Sequence, residues 1–195
     1  DEWCLMNLMW TIARSSGLIA TLLLSAVVAL GILSSADMGS RRWPRFITAG
    51  LHRRIAYLAC AMLALHLVAV IVDSYVAIGV LDVIVPFTSS YERLAVGLGA
   101  ISVDLLIVLL ATSLARRHLP FRLWQVVHVV AYADWPLAIL HGLLAGTDDW
   151  LALGVSMIGT LAVGAVALTR VFNHLERRPQ EPHVPAESRV LVNSR

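Results

Sequence analysis

The chain has 195 residues, 58% of them hydrophobic and only 14% charged, with a formal net charge of +2 and a mean hydropathy of +0.77. Soluble domains carry about 25% charged residues, so the composition excludes an ordinary soluble domain and points to an integral membrane protein. No nucleic-acid partner is expected. The chain opens on Asp-Glu-Trp, and no basic segment or small-residue cleavage site marks a signal peptide.

Five stretches approach or exceed the roughly 20 apolar residues that a spanning helix needs. They lie near 11–34, 50–74, 94–115, 122–145 and 150–171. The expected fold is all-α, an integral membrane bundle of five transmembrane helices. Arg41, Arg42, Arg45, Arg53 and Arg54 cluster around the first connection, Arg116, Arg117 and Arg122 around the third, and Arg170, Arg177 and Arg178 near or beyond the end of the fifth span. The opposite side offers Arg14 and Arg93 against Asp73, Asp82, Glu92, Asp148 and Asp149. The positive-inside rule then puts the N-terminus outside and the C-terminus in the cytoplasm. Trp10, Trp43, Trp124 and Trp150 fall near span ends, as an aromatic belt would place them.

Two segments fall outside the spans. Residues 75–92 form a long, apolar connection containing Pro86 and Thr88-Ser89-Ser90, either a cap on the outer mouth of the bundle or a loop brushing the headgroups. Residues 174–195, rich in Pro, Glu and Arg, read as a polar cytoplasmic tail after a membrane domain of residues 1–173. Cys4 and Cys60 are expected at different depths and therefore as free thiols.

Four histidines carry the chemistry. His52 and His66 stand 14 apart in the second span, and His128 and His141 stand 13 apart in the fourth. Histidine is costly in a bilayer unless something binds it. Both spans run from cytoplasm to outside, so His52 and His128 share an inner level and His66 and His141 an outer one. Fourteen residues of α-helix rise about 21 Å, against a hydrocarbon core of about 30 Å. They also complete about four turns, which brings His52 and His66 onto one face. A spacing of 13 slips in phase, and Pro136 between His128 and His141 offers a kink to absorb the misfit. Two neutral imidazoles per iron suit a six-coordinate haem built for electron transfer. The expected cofactors are two haems, His52 and His128 ligating the inner iron and His66 and His141 the outer. The alternative is a set of helix-to-helix polar contacts in a structural subunit of a larger complex. A transporter binding a divalent metal through histidine fits less well, because its ligands would have to gather within a few ångströms.

The segments LHRRIAYLACAMLALH and HVVAYADWPLAILHG resemble the haem-binding helices of the ferric reductase-like transmembrane superfamily. That superfamily includes ferric reductases, NADPH oxidases and the haem subunit of the bacterial periplasmic methionine sulfoxide reductase system. The resemblance spans about residues 10–170 and implies the same pairing, His52 with His128 and His66 with His141. The opening TIARSSG is similar to the outer start of a span in NADPH oxidases, where an arginine lies close to the outer haem, and Arg14 matches that position. Those oxidases carry a further histidine where this chain has Val70, so oxygen is a less favoured acceptor. No fused flavin or nicotinamide domain is expected, and FAD or FMN would reside on a separate partner.

The resulting expectation is the electron-transfer subunit of a transmembrane oxidoreductase in a bacterial plasma membrane. Its donor would be a cytoplasmic flavoprotein or quinol, and its acceptor a ferric chelate or an extracytoplasmic redox or flavin protein. Arg53, Arg54 and Arg122 read equally as propionate partners or interfacial anchors. Asp104 and Asp134, near mid-span on neighbouring helices, are read as proton carriers or as helix-to-helix hydrogen bonds. Trp135, between the two levels, is a stepping point between haems or a packing residue.

Overall fold

The computed structural model describes residues 2–35, 45–73, 76–145 and 149–176. All its regular elements are helical: α1 (Glu2–Ser35), α2 (Arg45–Val72), the short α3 (Val80–Ile84), α4 (Arg93–Leu114), a 3-10 turn (Arg116–His118), α5 (Phe121–Val129), α6 (Ala131–Ala145) and α7 (Asp149–Glu176). Five segments are long and apolar enough to cross a membrane: Leu8–Ser34, Phe46–Val72, Arg93–Leu114, Phe121–Ala145 and Trp150–Asn173. The expected five-span, all-α bundle is therefore present; α1, α2 and α7 begin before the expected stretch or run past it, while α2 ends two residues short at Val72 and α4 is shifted by one. Arg41, Arg42, Trp43, Asp148, His183 and the tail from residue 177 lie outside the described residues, as does the side chain of Cys4.

α1 packs against α2 and α7, α4 packs against α6, and α6 also touches α1 and α7. The contact faces use small residues: Ala13, Ser16 and Ser25 on α1, and Ala95, Gly97, Ala100 and Ser102 on α4 are buried. Small side chains let backbones approach closely where lipid supplies no hydrophobic drive between helices. At Gly159 on α7 the approach is so close that a Cβ would stand 2.5 Å from Ser25 Oγ. Ser16, Thr21 and Ser25 bond back to the carbonyls of Ile12, Gly17 and Thr21, which satisfies each hydroxyl within its own helix. Large apolar side chains, among them Val126, Leu161 and Leu94, face outward. That is the surface a multi-pass membrane protein presents to lipid.

The fourth span departs from the single helix that its sequence predicts. It is broken at Val130, where α5 ends and α6 begins, so His128 and His141 ride on separate helices. The Val130 amide reaches back only three residues, to the Val127 carbonyl at 3.0 Å. The break lies six residues ahead of Pro136 rather than at it. Proline has no N–H for the Tyr132 carbonyl and its ring crowds that group, which loosens the preceding turn.

The connection between α2 and α4 is organised around Asp82. Its carboxylate accepts the Gly79 amide at 2.9 Å and the Thr88 hydroxyl at 2.8 Å. Arg93 Nε donates to the Phe87 carbonyl at 2.7 Å. Phe87 has a φ of 65° and lays its ring against Gly97, in the space that a Cβ there would fill. Val76, Ile78, Asp82, Val83 and Tyr91 line a cavity in the bundle, so the connection caps that cavity rather than merely skirting the headgroups.

Candidate functional site: two paired-histidine layers

The four histidines meet in two pairs. The ring centres of His52 and His128 are 6.1 Å apart, and those of His66 and His141 are 6.2 Å apart. A metal–imidazole bond of about 2 Å, with roughly 1.1 Å more to the ring centre, would put two imidazoles that share one metal up to about 6.2 Å apart. The separations in both layers match that value. Among the described residues no three of His, Cys, Asp and Glu gather as a metal centre, so each layer offers two imidazoles and no third ligand of those types.

Three of the four rings are fixed in the same way. His66 Nδ1 lies 2.7 Å from the Ala13 carbonyl, His52 Nδ1 2.9 Å from the Val27 carbonyl, and His141 Nδ1 2.8 Å from the Ala95 carbonyl. A carbonyl oxygen can only accept, so Nδ1 carries the proton and Nε2 keeps its lone pair. That is the tautomer a metal-ligating histidine needs, with the other nitrogen bonded to a backbone carbonyl. Because His52 and His66 both bond to α1, they share a face of α2, as the spacing of 14 predicted.

Each of these carbonyls lies four residues before a glycine: Ala13 before Gly17, Val27 before Gly31 and Ala95 before Gly99. A helical side chain leans toward the N-terminus and covers the turn before it. Glycine at that position exposes the carbonyl's second lone pair. A Cβ on Gly17 would stand 2.9 Å from His66 Nδ1, one on Gly99 2.7 Å from His141 Nδ1, and one on Gly31 3.6 Å from the His52 ring.

His128 is held differently. Its Nδ1 is buried without a hydrogen-bond partner. Its ring stacks on Trp124 at 4.7 Å and 20°, and the Arg116 guanidinium sits 4.3 Å from the Trp124 ring centre. Trp124, placed by its sequence position in an interfacial belt, is thus part of the site.

A cavity of about 310 Å³ opens beside the His66–His141 pair, lined by both rings and by Gly17, Gly99 and Arg14. That is the low end of the range for ligand pockets. Arg14, half-buried, lies 5.3 Å from the Trp10 ring centre. Arg53, Arg54 and Arg122 are exposed. Between the layers, Asp134 is fully buried and accepts a 2.6 Å hydrogen bond from Ser102 Oγ. Its second carboxyl oxygen has no hydrogen-bond partner. Of the two readings for mid-span acids, Asp134 shows the helix-to-helix bond, although to Ser102 and not to Asp104. Trp135 donates from Nε1 to Ser25 Oγ at 3.0 Å and packs against Val28, Ile32 and Val163. Cys60 is a free thiol.

The glycines, the carbonyls and Ser102 escaped the sequence reading. One signal for them exists: Gly17 and Gly31 stand 14 apart, the same interval as His52 and His66. Neither curated proteins nor solved structures yield a match to the chain. The sequence model of the ferric reductase like transmembrane component matches residues 16–139, which takes in His52, His66 and His128 and ends two residues short of His141. With well over half of its length matched and five apolar spans in place, the chain belongs to the ferric reductase-like transmembrane family, which indicates a redox role in the membrane.

Proposed function

We propose that the chain is a di-haem b-type membrane cytochrome that moves electrons from a cytoplasmic-side donor to an acceptor at the outer face. The observation that carries this reading is the pairing of four imidazoles at metal-bridging separation, three of them with Nδ1 committed to a carbonyl. Bound between each pair, a haem supplies a one-electron carrier, at two depths about 21 Å apart by helix rise.

The residues themselves perform defined tasks. His52 and His128 would ligate the inner iron, and His66 and His141 the outer iron. The carbonyls of Ala13, Val27 and Ala95 hold three rings in the ligating tautomer and raise their basicity. Arg14, on the cavity wall, places a positive charge where a haem propionate or an anionic acceptor would sit. The cytoplasmic donor is a separate flavoprotein or quinol. The acceptor is a ferric chelate or an extracytoplasmic redox or flavin protein, with oxygen less favoured because Val70 stands where oxidases place a histidine. The chain would work as the electron-transfer subunit of a transmembrane oxidoreductase in a bacterial plasma membrane, N-terminus outside.

Purified protein should contain two b-type haems per chain, by dithionite-reduced minus oxidised spectra and a pyridine haemochrome assay. A colourless preparation that is fully folded would overturn the reading.

A further inference from the structure

We propose that Gly17 and Gly99 are positioning residues that orient and tune the His66–His141 pair, while Trp124 under Arg116 does the equivalent work for His128. The proposal rests on the di-haem reading and adds to it an inequality between the layers.

The inequality comes from the backbone. α1 presents its carbonyl-and-glycine pair twice, at Ala13 and Gly17 and again 14 residues on at Val27 and Gly31. α4 presents it once, at Ala95 and Gly99, and the same step of 14 arrives at Leu109 and Ser113. Serine rather than glycine stands at that step, so the Leu109 turn lacks the open position that the other three carbonyls share. Of the four Nδ1 atoms, that of His128 is the one buried without a hydrogen-bond partner. The neighbouring aromatic substitutes for the missing carbonyl, with the Trp124 face 4.7 Å from the His128 ring.

The glycines differ in how much they are needed. A Cβ at 2.7 Å or 2.9 Å from an imidazole nitrogen, as on Gly99 or Gly17, forces the ring off its carbonyl. At 3.6 Å, as on Gly31, it makes ordinary contact. Gly142, directly after His141, has nothing within 4 Å of its would-be Cβ and serves as a control on the same helix. Displacing a ring from its carbonyl lowers the basicity of the ligand, favours the ferrous state and raises the midpoint potential.

The test is a series of single substitutions in the full chain, read by haem content, low-temperature electron paramagnetic resonance and redox titration. Gly99→Ala and Gly17→Ala should shift the resonance and raise the potential of the His66–His141 haem, or cut haem content from two toward one, with the other haem unchanged. Gly142→Ala should leave both signals in place, and Gly31→Ala should move the His52–His128 signal by less than Gly17→Ala and Gly99→Ala move the other. Trp124→Leu should move the His52–His128 signal alone, and Trp124→Phe should restore it. Unshifted signals in Gly99→Ala and Gly17→Ala, equal shifts in both layers, or failure of both variants to accumulate folded would overturn the proposal. Absence of haem from the unsubstituted protein would instead overturn the di-haem reading, so the two failures are distinguishable.

Discussion

The His66–His141 layer and the His52–His128 layer have nearly the same ring separation and very different surroundings. In the first, both rings donate to carbonyls, both lie against glycines at less than 3 Å from a would-be Cβ, and both line the cavity that Arg14 shares. In the second, one ring donates to a carbonyl with space to spare, and the other rests on Trp124 without a partner for Nδ1. Each histidine supplies the same ring, but three rings are held by a carbonyl of a neighbouring helix and the fourth by an aromatic of its own helix. Two pairs that read alike along the chain are therefore held unequally, and on the proposed function that inequality would extend to ligand basicity.

The largest expected effect separates the layers completely. His66→Ala or His141→Ala should remove one haem of two and leave the other, and His52→Ala or His128→Ala should do the reverse, as counted by pyridine haemochrome. If either substitution emptied both layers, the pairs would not be independent sites and the comparison would fail.

Next in size is the assignment of outer and inner. In a chain whose native cysteines have been replaced by alanine, Ser90→Cys should react with an impermeant thiol reagent applied outside intact cells. Arg117→Cys should react only after the membrane is opened. The opposite labelling pattern would make His66–His141 the cytoplasmic layer and reverse the proposed path of electrons.

Between the layers, Ser102→Ala would remove the hydrogen bond to the buried Asp134 carboxyl. Leaving a buried polar group unsatisfied costs about 1–3 kcal/mol. Thermal unfolding in detergent should show this as a lowered midpoint, with both haems lost together. Asp134 is six residues from His128 and seven from His141, so selective loss of one haem would tie it to a single layer.

The smallest effect expected is at Arg14. Arg14→Gln keeps polarity and removes a charge from the cavity wall, and α1 keeps its apolar length. A partly exposed charge acting at about 0.5–1 kcal/mol corresponds to roughly 20–40 mV for a one-electron couple. The His66–His141 midpoint should fall by that order while the other haem holds. Equal shifts in both would indicate general destabilisation, and no shift would leave Arg14 as an interfacial residue.

Much of the fold was legible because bilayer physics constrains it strongly. A backbone in hydrocarbon must close its own hydrogen bonds, so long apolar runs became helices. Equally, histidine is expensive there, so its spacing stood out. Boundaries were read short at Glu2, Arg45 and Glu176, since the helices continue past the apolar residues into polar ones. The misfit between spacings of 14 and 13 was legible too, yet its location was not. Pro136 marked the neighbourhood, and the opening fell six residues earlier, at Val130. Trp124 was read as a membrane anchor because its position near a span end says nothing about the ring it stacks on.

The amino-acid sequence by itself determined that this is a five-span membrane protein with two levels of histidine, because helix rise, helix turn and hydrophobic length are properties of one segment at a time. Only the tertiary structure decided which carbonyl each imidazole bonds, which ring goes without one and which layer opens on a cavity. Those depend on the distance between helices, and that distance is set where glycine and alanine let two backbones approach. A glycine in a membrane helix carries no chemistry of its own. It becomes part of a site only when a neighbouring ring occupies the space that its missing Cβ leaves open.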